Sequence, residues 1–339
     1  NRLYTFGRQE ADEVIRCIGA VSGDVLWQEI YPAQFVPTGP SSRHPGPRGS
    51  PVVADGKVCV LGVGGILSCL DAATGKVLWR KQSAADYLDT PYQFESSMSP
   101  IVVDGMCIVY IGGDDQGAMI AVDLGSGRAK WKYTGDAPSP SSPAIMTVAG
   151  VGQIVTMTET RVIGVSLADQ SLLWQAPFKA RPVNSTTPVV DGQTVIVTGQ
   201  GMGTLAIKVA GQEGRFTAEQ AWANSDAQAG SPFTTPVLRD GLLFGYASAR
   251  LNCLSAQTGR ALWADTIARG HSAAIVDAGS CLVALTLNGE LSFYQPSDKQ
   301  YTELARYKVA EPEVWAHPVV DGRRIFVRDK DSIALWAME

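Results

Sequence analysis

Short apolar runs, rich in Val, Ile and Leu, recur along the whole chain and are broken by Asp-Gly, Thr-Gly and Ser/Thr-Pro pairs. The clearest unit starts at Ser50-Pro51, runs through Val52-Val53-Ala54 and turns at Asp55-Gly56. Lys57-Val58-Cys59-Val60 follows, then Leu67-Ser68-Cys69-Leu70, a turn at Thr74-Gly75, and Lys76-Val77-Leu78-Trp79. This reads as four strands. Pro suits a strand start, where no ladder donor is needed, and Asp-Gly supplies the positive φ angles of a tight hairpin. The start recurs at Ser99-Pro100, Ser142-Pro143, Thr187-Pro188 and Thr235-Pro236, and as His317-Pro318. The Asp-Gly turn recurs at Asp104, Asp191, Asp240 and Asp321, and the Trp at Trp27, Trp131, Trp174, Trp222 and Trp263. Successive Trp residues of this set stand 41 to 52 residues apart, the length of one four-stranded blade. One such unit cannot bury its own faces, so the pattern predicts stacked blades, each outer-strand Trp packing on its neighbour.

Six units are complete: 50–79, 99–131, 142–174, 187–222, 235–263 and about 272–307, the last with Ala305 and Tyr307 near the expected Trp position. Two partial units flank them. The N-terminal one supplies second, third and fourth strands (Arg2–Phe6, Val14–Ile18, Asp24–Trp27) and lacks a first. The C-terminal one supplies first, second and third strands (Pro318–Asp321, Ile325–Arg328, Ser332–Trp336) and lacks a fourth, which puts Trp336 outside the docking set. The two duplicate each other's middle strands, so they are two blades. The expectation is an all-β, eight-bladed β-propeller of four-stranded antiparallel blades, one domain over 1–339. Its closing strand, N-terminal to Asn1, would come from upstream residues and remove an exposed edge.

Composition narrows the function classes. Of 339 residues, 45% are hydrophobic and 18% charged, which fits a folded globular chain. The net charge is −5 with no basic run, which argues against nucleic-acid binding. No apolar stretch approaches the roughly 18 residues of a membrane span. Asn1 leads directly into a strand-like segment, so a targeting signal is expected upstream rather than here. The six Cys (Cys17, Cys59, Cys69, Cys107, Cys253 and Cys281) all fall in apolar strands and read as small buried hydrophobes. Cys59 and Cys69 are equidistant from Gly64 and should face each other across a hairpin, which makes them a candidate disulfide pair.

The Leu-Asp-Ala-x-Thr-Gly-x-x-Leu-Trp segment at Leu70–Trp79, with its copy at Leu254–Trp263, resembles the repeat of pyrroloquinoline-quinone-type β-propellers. The resemblance covers essentially the whole chain and implies the fold more than an activity. Quinoprotein alcohol dehydrogenases, the outer-membrane β-barrel assembly lipoprotein and further bacterial propellers share the repeat, and the segment order here looks most like the last group. A quinone-dependent dehydrogenase would imply adjacent cysteines, a Trp platform and a Glu/Asn/Asp calcium site. The chain has no Cys-Cys pair, and only isolated carboxylates and Asn184 offer themselves. No cofactor is therefore expected; pyrroloquinoline quinone or a metal ion belongs to an alternative reading.

Function is expected on the loops that join one blade to the next. The first, Tyr31–Gly49, carries Arg43, His44 and Arg48; the second, Arg80–Ser97, carries Asp86, Tyr87, Asp89, Tyr92, Phe94 and Glu95. Shorter loops add Asn184, Phe233, Arg269 and Trp315. All three histidines, His44, His271 and His317, lie in these loops or beside them. Imidazole serves as base, acid or metal ligand near neutral pH, but the spacing has no His-x-x-x-His signature. Arg43, His44, Tyr92, Asn184, Arg269 and Trp315 are the candidate ligand-binding residues; Arg offers a bidentate fork for anions and the aromatics can stack on sugars. The leading expectation is a monomeric, periplasmic or extracellular, non-catalytic binding propeller that holds a protein or carbohydrate partner on its loop face. The alternative is an enzyme with His271, His317, Arg48 and Glu95 at the propeller axis, either a carbohydrate-active lyase or hydrolase or a divergent quinone-dependent oxidoreductase.

Overall fold

The computed structural model describes residues 1–33, 42–82, 96–113, 117–226 and 229–337. The chain divides into two compact units, Asn1–Pro177 and Phe178–Glu339. In the first, β1 (Arg2–Gln9), β2 (Asp12–Gly19) and β3 (Val25–Pro32) form a three-stranded sheet. Three four-stranded sheets follow: β4 (Val52–Ala54), β5 (Lys57–Leu61), β6 (Ile66–Asp71) and β7 (Val77–Gln82); β8 (Ile101–Val103), β9 (Met106–Gly112), β10 (Gly117–Asp123) and β11 (Ala129–Gly135); β12 (Ala144–Val148), β13 (Val151–Met157), β14 (Arg161–Ser166) and β15 (Leu172–Pro177). The second unit holds β16 (Val189–Asp191), β17 (Thr194–Gly199), β18 (Gly203–Gln212) and β19 (Arg215–Asn224); β20 (Val237–Arg239), β21 (Leu242–Ala247), β22 (Arg250–Ser255) and β23 (Ala261–Ala264); and β24 (Ala273–Asp277), β25 (Leu282–Thr286), β26 (Glu290–Tyr294) and β27 (Glu303–Lys308). A three-stranded sheet, β28 (Val319–Asp321), β29 (Arg324–Arg328) and β30 (Ile333–Ala337), completes it. Every sheet is an antiparallel meander in chain order. These are the eight blades of a β-propeller, six complete and two three-stranded, as the repeat predicts. Trp336 lies on β30, outside the docking set.

The strands stack because their two faces enter different cores. On β5, Val58 and Val60 join a cluster with Phe6 and Ile15 of blade 1, while Cys59 and Leu61 join one with Cys107 and Val109 of blade 3. On β25, Leu282 and Ala284 pack with Phe244 and Ile275, and Val283 and Leu285 with Ile325 and Val327. Side chains alternate across a strand, and here both faces are dry, so the middle strands read as continuous apolar runs. All six cysteines are buried and free. Cys59 and Cys69 do face each other in the ladder. Cys59 also contacts the Cys107 thiol, which with burial raises its pKa, and the Cys59 contact with burial raises that of Cys69, which suits small core hydrophobes.

The Trp residues dock blade on blade. Trp27 Nε1 donates to Ala72 O at 3.1 Å, Trp79 to Leu124 O at 3.0 Å, Trp222 to Ala256 O at 2.9 Å and Trp263 to Ser297 O at 2.8 Å. Three of these rings also lie flat on the glycine of the next blade's last turn. A Cβ at Gly75, Gly127 or Gly259 would fall 2.6, 2.6 or 2.3 Å from the Trp27, Trp79 or Trp222 ring. The turn glycine therefore serves twice, supplying a left-handed φ and leaving room for the indole. Two Trp residues depart from this pattern. Trp131 Nε1 has no hydrogen-bond partner, and the last turn of the next blade (Ala168-Asp169-Gln170) has no glycine. Trp174 turns back on its own blade, donating to Gln153 Oε1 at 2.6 Å and lying against Gly164.

The Ser/Thr-Pro pairs carry a second device. Ser50 N–H donates to Ser99 Oγ at 2.9 Å, Ser99 N–H to Ser142 Oγ at 3.0 Å, and Thr187 N–H to Thr235 Oγ1 at 2.9 Å. Each hydroxyl accepts from the equivalent residue one blade earlier, a belt of hydrogen bonds that stitches neighbouring first strands. Ser142→Ala is expected to cost about 1 kcal/mol, because it strands the Ser99 N–H, while Ser142→Thr keeps the bond. Chemical denaturation followed by circular dichroism reads the difference.

Candidate functional site

In the second unit, three blade-joining loops bring three aromatic rings together. Phe233 lies 5.8 Å from His271 and 5.9 Å from Trp315, the latter edge-on. Trp315 is 46% exposed, open enough to meet a ligand, and its Nε1 donates to Glu313 Oε2 at 2.9 Å. Beside this row is a cavity of about 540 Å³, lined by Gln200, Gly201, Ser225, Ser248, Ala249 and His271 among others. That volume is within the roughly 300–1,000 Å³ of small-ligand sites. Its walls are the β17–β18 and β21–β22 hairpins and the loops after β19 and β23.

The walls are braced from behind. Tyr246 Oη donates to Gly270 O at 2.6 Å, and burial pushes that hydroxyl up to about 12, so it stays a donor. Arg269 N–H donates to Ala249 O at 2.9 Å. Thr198 Oγ1 donates to Ala229 O at 3.0 Å and accepts from Ser231 N–H at 3.2 Å, holding the loop after β19. One wall is strained. Ser248 and Ala249 have φ of 52° and 64°, the two-residue left-handed turn that the hairpins at Asp55-Gly56, Asp104-Gly105 and Asp240-Gly241 make with glycine second. A side chain at such a φ costs on the order of 1–3 kcal/mol, and such strain clusters at functional sites.

The other candidates are distributed as follows. Arg269 is 2% exposed and ion-paired to buried Asp265, with its guanidinium 4.8 Å from the Tyr301 ring centroid. It holds the loop that carries His271 and does not point into the cavity mouth as a fork for anions. Asn184 is fully buried; its Oδ1 accepts from Ala180 N–H and its Nδ2 donates to Phe178 O, both at 2.9 Å, so its amide shapes its own loop. His317 is exposed, yet desolvation by the surrounding protein lowers its pKa; it is not among the residues lining the cavity. In the first unit, Arg43, His44 and Arg48 are exposed, Arg48 Nη2 donating to His44 O at 3.1 Å. Glu95 and Tyr92, with Asp86, Tyr87, Asp89 and Phe94, lie outside the described residues. Among the described residues, no group of three or more His, Cys, Asp or Glu side chains is placed to hold a metal ion.

Sequence reasoning missed Gln200, Ser225 and the Ser248–Ala249 turn. It looked to blade-joining loops and not to hairpin tips. The available signal was a two-residue hairpin without Gly, where the hairpins at 55–56, 104–105 and 240–241 turn on Asp-Gly.

The first unit also buries a carboxyl. Glu13 is 1% exposed, accepts from Val63 N–H at 2.8 Å and sits beside the Tyr31 hydroxyl. Burial raises its pKa. The native state therefore keeps a proton that the unfolded chain loses above about pH 4.3. Stability must then fall as pH rises from there through the native pKa. Glu13→Gln, which can accept from Val63 and donate to Tyr31, is expected to flatten that fall and to melt higher than the parent at about pH 8. Melting curves across pH read both effects.

Comparison with known proteins places the repeat. The family model described as outer membrane protein assembly factor BamB matches residues 11–265. The chain belongs to that family. It is 28% identical over 219 residues to BamB of Xanthomonas campestris pv. campestris and 25% identical over 268 residues to that of Yersinia pestis, covering 63% and 73% of this chain. The same alignments cover 50% and 58% of those proteins, so the chain spans about half the length of the BamB relatives it matches. The crystal structure of BamB from Moraxella catarrhalis superposes with a TM-score of 0.68 at 14% identity, covering 100% of this chain and 98% of that one. The quinohemoprotein alcohol dehydrogenase of Comamonas testosteroni gives 0.67 at 15% identity over 96% of this chain and 68% of its own. At these identities both likenesses speak to the fold alone.

Proposed function

We propose that this chain is a non-catalytic, periplasmic protein-binding scaffold, one propeller domain over 1–339, that takes part in outer membrane protein assembly and holds its partner on the blade-joining loops. The observation that carries the reading is membership, over residues 11–265, of a family described as an assembly factor. Large apolar side chains left open to solvent support it. Trp315, on the loop between β27 and β28, and Val319, where that loop enters β28, are 46% and 49% exposed, as expected of a surface that meets another protein. A binding propeller of this kind works through shape and loop chemistry and needs no cofactor.

Co-purification from detergent-solubilised bacterial envelopes tests the reading. The tagged chain is expected to retain outer membrane proteins or their assembly machinery. His271→Ala and His317→Ala together should leave that capture intact, because a scaffold does not depend on an imidazole base. Capture that disappears with the two histidines, accompanied by turnover of a glycan in the parent, would favour the enzyme reading instead.

A further inference from the structure

We infer that the second-unit cavity beside Phe233, His271 and Trp315 is a binding site for a neutral saccharide. This goes beyond the scaffold reading and is independent of it.

Three observations converge. First, the cavity of about 540 Å³ has mostly apolar walls interrupted by a few neutral polar groups; none of its described lining residues is Asp, Glu, Lys or Arg. Gln200, Ser225 and Ser248 bring an amide and two hydroxyls, and Gly201, Gly203 and Gly270 bring peptide groups with no side chain in front of them. Such walls match a ligand that pairs C–H faces with neutral hydroxyls, and none of the described lining residues is a Lys or Arg that would offset the charge of a phosphate, sulfate or carboxylate. Second, the flank is an aromatic row built from three separate loops, with Trp315 open to solvent. Through Phe233 and His271 the row extends a broad apolar face from the cavity out to the Trp315 indole, next to the neutral hydrogen-bonding groups of the wall, a combination that suits a pyranose with its C–H faces and hydroxyl rim. Third, the strained wall is at the cavity. Ser248 and Ala249 keep side chains where glycine would be relaxed, and both residues line the cavity. A Gly there would remove a hydroxyl or a methyl from the wall; strain retained at a pocket wall marks that wall as part of a site. An extended peptide is a poorer occupant, because no strand edge lines the cavity to pair with its backbone.

The test is calorimetric titration of the full chain with maltotriose, cellotriose and N,N′,N″-triacetylchitotriose. Trigalacturonate serves as an acidic counterpart and a Phe-containing tripeptide as the peptide arm. At least one neutral trisaccharide is expected to bind with a Kd of about 1 mM or tighter, and trigalacturonate at least about tenfold more weakly. Trp315→Ala, a change at an exposed position, is expected to lower affinity about tenfold or more with the melting temperature unchanged. Converting the turn by S248N with A249G should raise the melting temperature by relieving strain and still weaken the sugar several-fold, a pairing that a purely structural turn would not give. The inference is overturned if no neutral trisaccharide saturates below about 10 mM, if only the tripeptide or trigalacturonate binds, or if the Trp315 and turn variants bind the sugar as the parent does. Any of those results with envelope-protein capture intact removes the saccharide site and leaves the scaffold reading standing.

Discussion

Trp79→Ala is expected to destabilise the first unit by about 3–5 kcal/mol, the loss typical of a truncated buried Trp. The side chain is 9% exposed, lies within the core shared by blades 2 to 4, and donates to Leu124 O of blade 3. Its ring rests on Gly127, whose missing Cβ leaves the only room for it. Three contributions are therefore lost together: apolar burial, one buried hydrogen bond and the filling of a glycine-floored slot. Trp79→Phe keeps most of the burial and should cost less than half as much. Trp131→Ala is the internal contrast, since its Nε1 has no partner and no turn glycine receives it; it should cost clearly less than Trp79→Ala. Denaturant titration with circular dichroism measures all three. In a repeat array the loss should appear in the transition of the unit that contains the change, without a uniform shift of the whole chain.

Asp265→Ala should be comparably severe, about 3–5 kcal/mol, for a different reason. The Asp265 and Arg269 side chains are only 3% and 1% exposed. Arg269 Nη1 pairs with Asp265 Oδ2 and also donates to Ile267 O at 3.0 Å, while its Nε and Nη2 have no protein partner. Removing the carboxylate would leave a guanidinium buried against Tyr301 with only the solvent-exposed Glu303 as counter-charge. Replacing both partners with apolar residues, Asp265→Leu with Arg269→Met, should recover most of the loss, because no buried charge is then stranded. Arg269 N–H also fixes Ala249 O, and the loop ends at Gly270 and His271. The single variant should therefore loosen the cavity wall as well as lower the melting temperature, which hydrogen exchange at 248–249 and 265–271 reads.

The repeating parts of the fold were legible because each residue type answers a local demand. Asp-Gly at 55–56, 104–105 and 240–241 marks left-handed hairpin turns, and the structure has them there. The Trp of each outer strand marks a blade edge, and four of the six dock on a carbonyl of the next blade. What escaped the reading depends on the neighbour. The hydroxyls of Ser99, Ser142 and Thr235, each before a Pro, accept a hydrogen bond from the preceding blade, a role that no single repeat displays. Trp131 and Trp174 follow the sequence pattern and still depart from the docking geometry, because what receives each indole decides its place.

The site was legible in part for a similar reason. Phe233, His271 and Trp315 stood out as loop residues, and folding brings them into one row. Arg269 and Asn184 stood out equally, yet both fold back on their own loops, Arg269 onto an Asp four residues earlier and Asn184 onto the backbone of Phe178 and Ala180. A polar loop residue is thus ambiguous between holding a ligand and holding its loop, and only the path of the chain decides. Gln200 and the Ser248–Ala249 turn are on hairpin tips, where sequence offers little beyond a missing glycine.

The central claim, a scaffold that binds protein through its blade-joining loops, is tested most directly by site-specific photo-crosslinking in intact bacterial envelopes. A crosslinking residue would replace Lys179 or His317, exposed positions in or beside blade-joining loops of the second unit, or Asp240, exposed on the first-to-second-strand hairpin of the same unit. The account predicts discrete adducts with outer membrane proteins or their assembly machinery from Lys179 and His317, and none from Asp240. Adducts from Asp240 alone, or from no position while the chain is folded and exported, would contradict it.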